Sequence, residues 1–148
     1  MTRPTLVPEL YVTDIRRSVH FYCEILGFKL EYERPESGFA AVSFEGSHLM
    51  LEQTPSLLPA SDEAFKRGQW RTAELEYPFG HGINFEFAIA DLEAAHARIK
   101  HHNYPIRLDI HEKWYRVGDQ EAGVRQFLIQ DPDGYLLRFQ QDIGIRPA

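Results

Sequence analysis

The sequence predicts an α+β chain built from two βαβββ repeats. Three observations lead there. The order strand, helix, three strands can be read twice along the chain. The strand–helix junction Val12-Thr13-Asp14-Ile15 is echoed by Ile89-Ala90-Asp91-Leu92. Turn signals close a hairpin in each half, at Glu45-Gly46-Ser47 and at Asp131-Pro132-Asp133-Gly134. Each half alone leaves one sheet face bare, and pairing two halves leaves a groove.

In the first half, residues 6–13 read as a strand. Asp14 follows where a helix N-cap belongs. Ile15, Val19, Tyr22, Ile25 and Leu26 then recur at helical spacing, and Gly27 supplies a left-handed C-cap. Residues 28–33 are a strand, 35–38 a turn, and 39–44 with 48–53 a hairpin. The second half opens with a strand over residues 82–90 and Asp91 as the next N-cap. Leu92, Ala95, His96 and Ile99 carry its apolar helix face, and Asn103 ends it. Strands are expected at 105–111, 124–130 and 135–140. The chain thus divides into modules 1–53 and 82–148 of one domain spanning 1–148. Residues 54–81 form a linker, holding Pro55, Pro59 and Pro78, in which Ser61 caps a short helix through Arg67.

At 148 residues and 43% hydrophobic content the chain can bury one core. Its net charge of −6 argues against general affinity for nucleic acid or anionic membrane. Nothing resembles a signal peptide or an apolar span of about 20 residues, so the expected location is cytoplasmic. With Cys23 alone no intramolecular disulfide forms, and its helical setting reads as a structural thiol. Nucleophile-elbow, zincin and phosphate-loop patterns are missing.

Three longer runs carry a family resemblance. VTDIRRSVHFYCEILGFKLEYE, INFEFAIADLEAAHARI and FLIQDPDGYLLRF resemble the opening strand and helix, the middle and the closing hairpin of vicinal-oxygen-chelate proteins. The resemblance implies the glyoxalase/bleomycin-resistance/dioxygenase fold, two βαβββ repeats pairing into a curved mixed sheet around a cavity. The bleomycin-resistance type is the nearer match. Tyr32 and Phe39 fall where that group places cavity aromatics. Trp114 and the later Gly123-Val124-Arg125-Gln126-Phe127 resemble its W-G-R-E-F stretch, although eight residues separate Trp114 from Gly123.

Metal-using members of the family place four His, Gln or Glu ligands on inward strand positions. By the flanking motifs these positions are Val7, Met50 (or Glu52 after a slip of two), Asn84 and Arg138. Aliphatic, thioether and cationic side chains do not form such a site, so no metal and no other cofactor is expected. The expected groove holds Glu9, Tyr11, Tyr32, Phe39, His48, Glu52, Glu86, Trp114 and Arg138. Tyr32 and Phe39 read equally as core. Arg138 pairs with Glu86 or Glu52, or meets an anionic ligand group. His81 stands at the groove entrance. His96, His101 and His102 read as surface imidazoles on the second helix, His20 as outward on the first, and His111 as a strand end.

The resemblance implies a metal-free protein that sequesters an aromatic or cationic small molecule, a bleomycin-type glycopeptide among the candidates, in the groove of a homodimer, with no catalytic residue. The alternative is a glyoxalase-like lyase or isomerase, or an extradiol-type dioxygenase, using a divalent metal. A third reading is an accessory domain that binds a metabolite for regulation.

Overall fold

A computed structural model describes residues 4–54 and 72–148. The expected helix at Ser61–Arg67 lies outside the described residues. The chain divides into two compact units, Met1–Phe79 and Gly80–Ala148.

The first unit holds strand β1 (Glu9–Val12), helix α1 (Ile15–His20), a π-helical turn (Phe21–Ile25), β2 (Lys29–Arg34), β3 (Phe39–Phe44) and β4 (Ser47–Gln53). Its open four-stranded sheet has the order β1-β4-β3-β2, with β1 parallel to β4 and the other pairs antiparallel. Asp14 starts α1 by accepting from the backbone N–H of Arg16 and Arg17 at 3.0 and 3.1 Å. The helix then widens. Leu26 N–H donates to Phe21 C=O, five residues back, and Gly27 at φ +84° ends the run as expected. Helix α1 packs on β3 and β4. The strands bury Leu10, Val12, Ala40, Val42, Leu49 and Leu51 in the core. Phe21, Tyr22, Phe28 and Phe44 continue that core as an edge-to-face and stacked series, with centroids 5.0–5.4 Å apart.

The second unit repeats the order with β5 (Asn84–Ala88), α2 (Leu92–His101), β6 (Leu108–Val117), β7 (Gln120–Gln130) and β8 (Leu136–Pro147), arranged β5-β8-β7-β6. Asp91 caps α2 through Ala94 N–H at 3.0 Å. Phe87, Phe139 and Phe127 stack in sequence at 5.1 and 5.4 Å, and Leu92, Ile99, Ile129 and Leu137 complete the core. In the Asp131–Tyr135 turn, Asp131 Oδ1 accepts from Asp133 and Tyr135 N–H.

The repeat is deeper than its few shared letters. Gln53 Oε1 accepts from Ile15 N–H at 3.0 Å, and Gln141 Oε1 accepts from Leu92 N–H at 2.8 Å. The last strand of each module therefore supplies a glutamine to the first amide of its helix. Strand register makes Val7, Glu9, Met50 and Glu52 equivalent to Asn84, Glu86, Arg138 and Gln140.

Two expectations are corrected here. Strands β6, β7 and β8 reach Val117, Gln120 and Pro147, well past the expected ends. Residues 112–123, between two expected strands, form a hairpin turning at Gly118 (φ +65°). Its residues are largely exposed on both faces, so no inward/outward alternation marks it as strand. His96 is not a surface imidazole. Its side chain is 17% exposed, edge-on to Phe127 at 5.4 Å, with Nε2 2.7 Å from Asp109 Oδ1.

Candidate functional site

The helix-free face of the first sheet collects most of the expected groove residues. Cross-strand pairing sets Glu9 beside Met50, Tyr11 beside Glu52, Phe39 beside Glu52, Ala41 beside Met50 and Tyr32, and Ser43 beside His48. Paired residues share a face, so these form one surface.

A cavity of about 200 Å³ opens there, lined by Val7, Glu31, Tyr32, Ala41, His48, Leu49 and Met50. Glu31 escaped the sequence reading because strict alternation turns it away from Tyr32. A register shift between Leu30 and Tyr32 puts both on the same side. Ser43 Oγ donates to Glu31 Oε1 at 2.6 Å, and Lys29 Nζ donates to Oε2 at 3.2 Å. These bonds to the charged form, the Ser43 hydroxyl first, hold the Glu31 carboxyl below its usual range. The site therefore presents a carboxylate, a half-exposed phenol ring (Tyr32, 49%) and the His48 imidazole over an apolar floor.

Phe39 behaves differently from Tyr32. It is 4% exposed, its centroid lies 5.8 Å from Tyr32, and the Arg34 guanidinium covers it at 3.9 Å. Of the two readings, core fits Phe39 and open surface fits Tyr32. Glu52 lies on the same face, half-buried between Tyr11 and Phe39.

On the second sheet, Glu86 and Arg138 are directly opposed and form an ion pair at 2.6 Å. Arg138 thus meets a partner within its own module. Trp114 is corrected. Gln126, His111 and Tyr115 share the Arg138 face, whereas Trp114 pairs with Gly123 on the other. Arg125, on that other face, bonds Glu93 of α2. The hairpin explains the interrupted motif, because it brings Trp114 and Gly123 into direct register across their eight-residue gap. Trp114 packs flat on that glycine with Arg146 stacked above at 4.1 Å. His81 is exposed in a turn.

A second cavity of about 400 Å³ lies beside α1, bordered by Ile15, Val19, His20, Cys23, Glu33 and Phe39 among others. Burial, then the charges of Glu24 and Glu33, push the Cys23 thiol up, so it stays protonated and makes a poor nucleophile.

The sequence profile of the Glyoxalase/Bleomycin resistance protein/Dioxygenase superfamily matches residues 5–139. The chain belongs to this superfamily. It is 31% identical over 143 residues to a bleomycin resistance protein of Geobacillus stearothermophilus, covering 93% of this chain and 96% of the relative. Two solved structures share the fold. A virulence protein from Salmonella typhimurium is 18% identical, with TM-score 0.66 and coverage of 97% and 99%. TioX from Micromonospora sp. ML1 is 21% identical, with TM-score 0.66 and coverage of 93% and 98%. Some members of the superfamily use a metal, and the donor positions here do not fit one. Val7 and Met50 offer no oxygen or nitrogen, and Arg138 is a cation bonded to Glu86. Among the described residues, no three His, Cys, Asp or Glu are grouped to hold a metal ion.

Proposed function

We propose that this superfamily member binds a cationic, partly aromatic small molecule without metal and without chemistry, a bleomycin-type glycopeptide being the first candidate, as a cytoplasmic homodimer. The observation that carries the reading is the first-sheet cavity. Its ionised Glu31 attracts a cation, and the open Tyr32 ring offers a stacking face. The similarity to bleomycin resistance proteins supports the choice of drug. Sequestration needs affinity alone, which agrees with donor positions that suit no metal. Support for the dimer comes from an exposed apolar row on one face of the β6–β8 extension. Tyr115 and Ile145 flank Ala122 there, with Val117 beyond, at 39%, 69% and 64% exposure for Tyr115, Ile145 and Val117.

Calorimetric titration with metal-free bleomycin tests this. Micromolar binding is expected, with affinity about tenfold lower for Glu31→Gln. No heat at micromolar drug overturns the assignment of ligand. One tightly held divalent ion per chain in the purified protein overturns the metal-free reading.

A further inference from the structure

On the second sheet, a hydrogen-bond chain ends in buried atoms with no hydrogen-bond partner among the described residues. The Asp109 carbonyl can only accept, so His111 Nδ1, 3.0 Å away, carries the ring proton. In the neutral ring His111 Nε2 is the acceptor, and Gln126 Nε2 donates to it at 3.1 Å. The same Gln126 nitrogen donates to Tyr115 Oη at 2.9 Å. Beside a neutral His111 ring the Gln126 amide stands with Nε2 toward both groups, and Oε1 has no hydrogen-bond partner among the described residues. Gln140 lies directly across on β8, and its Oε1 is equally unpartnered. Both residues are more than nine-tenths buried, at 5% and 7% exposure. Two positions along β8, on the same face, the Arg138 Nε–H is also buried and unpartnered, although Nη2 bonds Glu86.

A buried polar atom left unbonded costs about 1–3 kcal/mol, and folded proteins keep few of them. Two acceptors and one donor, gathered on neighbouring positions of one sheet face, form a pattern that a single outside group can complete. We infer that Gln126, Gln140 and Arg138 form a subsite for a primary carboxamide of a bound small molecule. The two glutamine oxygens accept the amide N–H hydrogens, and the amide oxygen accepts from Arg138 Nε–H. Cross-strand neighbours stand about 5 Å apart and alternate residues about 6.8 Å apart. That span is within side-chain reach of a planar amide. The Glu86 carboxylate offsets the Arg138 charge, so a neutral amide suits the site better than a carboxylate or an ammonium. The subsite lies on the face where the groove reading placed Arg138 and rests on that reading; its probes are not the drug, so either can fail alone.

The test uses the full ¹⁵N-labelled chain, with benzamide, benzoate and methyl benzoate as probes. The side-chain amide signals of Gln126 and Gln140 are followed by NMR. Benzamide is expected to shift both signals saturably, with at least tenfold weaker responses to benzoate and methyl benzoate. Gln140→Leu is expected to abolish the Gln126 response while Tm stays level or rises, because an unbonded atom has been removed. A methyl benzoate response equal to that of benzamide, no response at all, or an unchanged response in Gln140→Leu overturns the proposal and assigns the three atoms to an internal water. If Gln140→Leu fails to fold, the three-probe comparison on the unaltered chain decides.

Discussion

Glu31 and Tyr32 are adjacent on one strand yet face the same cavity, and that single irregularity gives the candidate site its charge. The hydrogen bonds that hold the Glu31 carboxyl low also tie it to stability. Its pKa is depressed in the fold, so its contribution is present above the unfolded value, about 4.3, and is lost as pH falls through the folded value. The stability gap between the parent chain and Glu31→Gln should therefore be level near neutrality and shrink only in acid below about pH 4, as read by urea unfolding from pH 7 to 3. Gly123 makes a different point. A Cβ there would stand 2.7 Å from the Trp114 ring. Gly123→Ala should cost about 1–3 kcal/mol in denaturant unfolding, and much less in a Trp114→Ala background, where the obstructing ring is gone. Parity and resemblance placed Tyr32, His48 and Glu52 on one face. They could not place Glu31, because a strand bulge without glycine leaves no mark in the sequence.

Caps and turns were the most legible elements. Asp14 and Asp91 sit at the starts of α1 and α2 and bond the first-turn amides, as their short carboxylates in extended backbone predict. Asp14→Ala should cost about 0.5–2 kcal/mol in thermal or urea unfolding, whereas Asp14→Asn should lie close to the parent, since either side chain accepts the same bonds. Helix α1 was expected to run as one regular element. Its widening to π-helical spacing over Phe21–Ile25 was not legible, because apolar residues recur acceptably at either pitch. The β6–β7 hairpin was missed for a related reason. Alternation is an imprint of one buried face, and a ribbon open on both sides carries none. Trp114 went to the wrong face with it, since strand parity has no meaning until the strand is known.

At the scale of the whole molecule, the two modules have the same topology but unlike faces. The first carries Glu31, Tyr32 and His48 around a cavity, whereas the second carries an ion pair and two buried glutamines. Equivalent positions, Met50 and Arg138 or Glu52 and Gln140, have diverged in chemistry while keeping the strand register. If the exposed row Tyr115–Ala122–Ile145 is a homodimer contact, Ile145→Lys should shift the mass measured by light scattering from dimer toward monomer. The thermal transition should then depend on protein concentration in the parent and not in the variant.

The sequence by itself determined the repeat and the family, because both rest on residue type and local spacing. The tertiary structure decided which strand Trp114 belongs to, that Arg138 answers Glu86, and that Glu31 joins the cavity. These depend on register, a bulge and cross-strand pairing between residues far apart in the chain, and such relations exist only once the strands have come together.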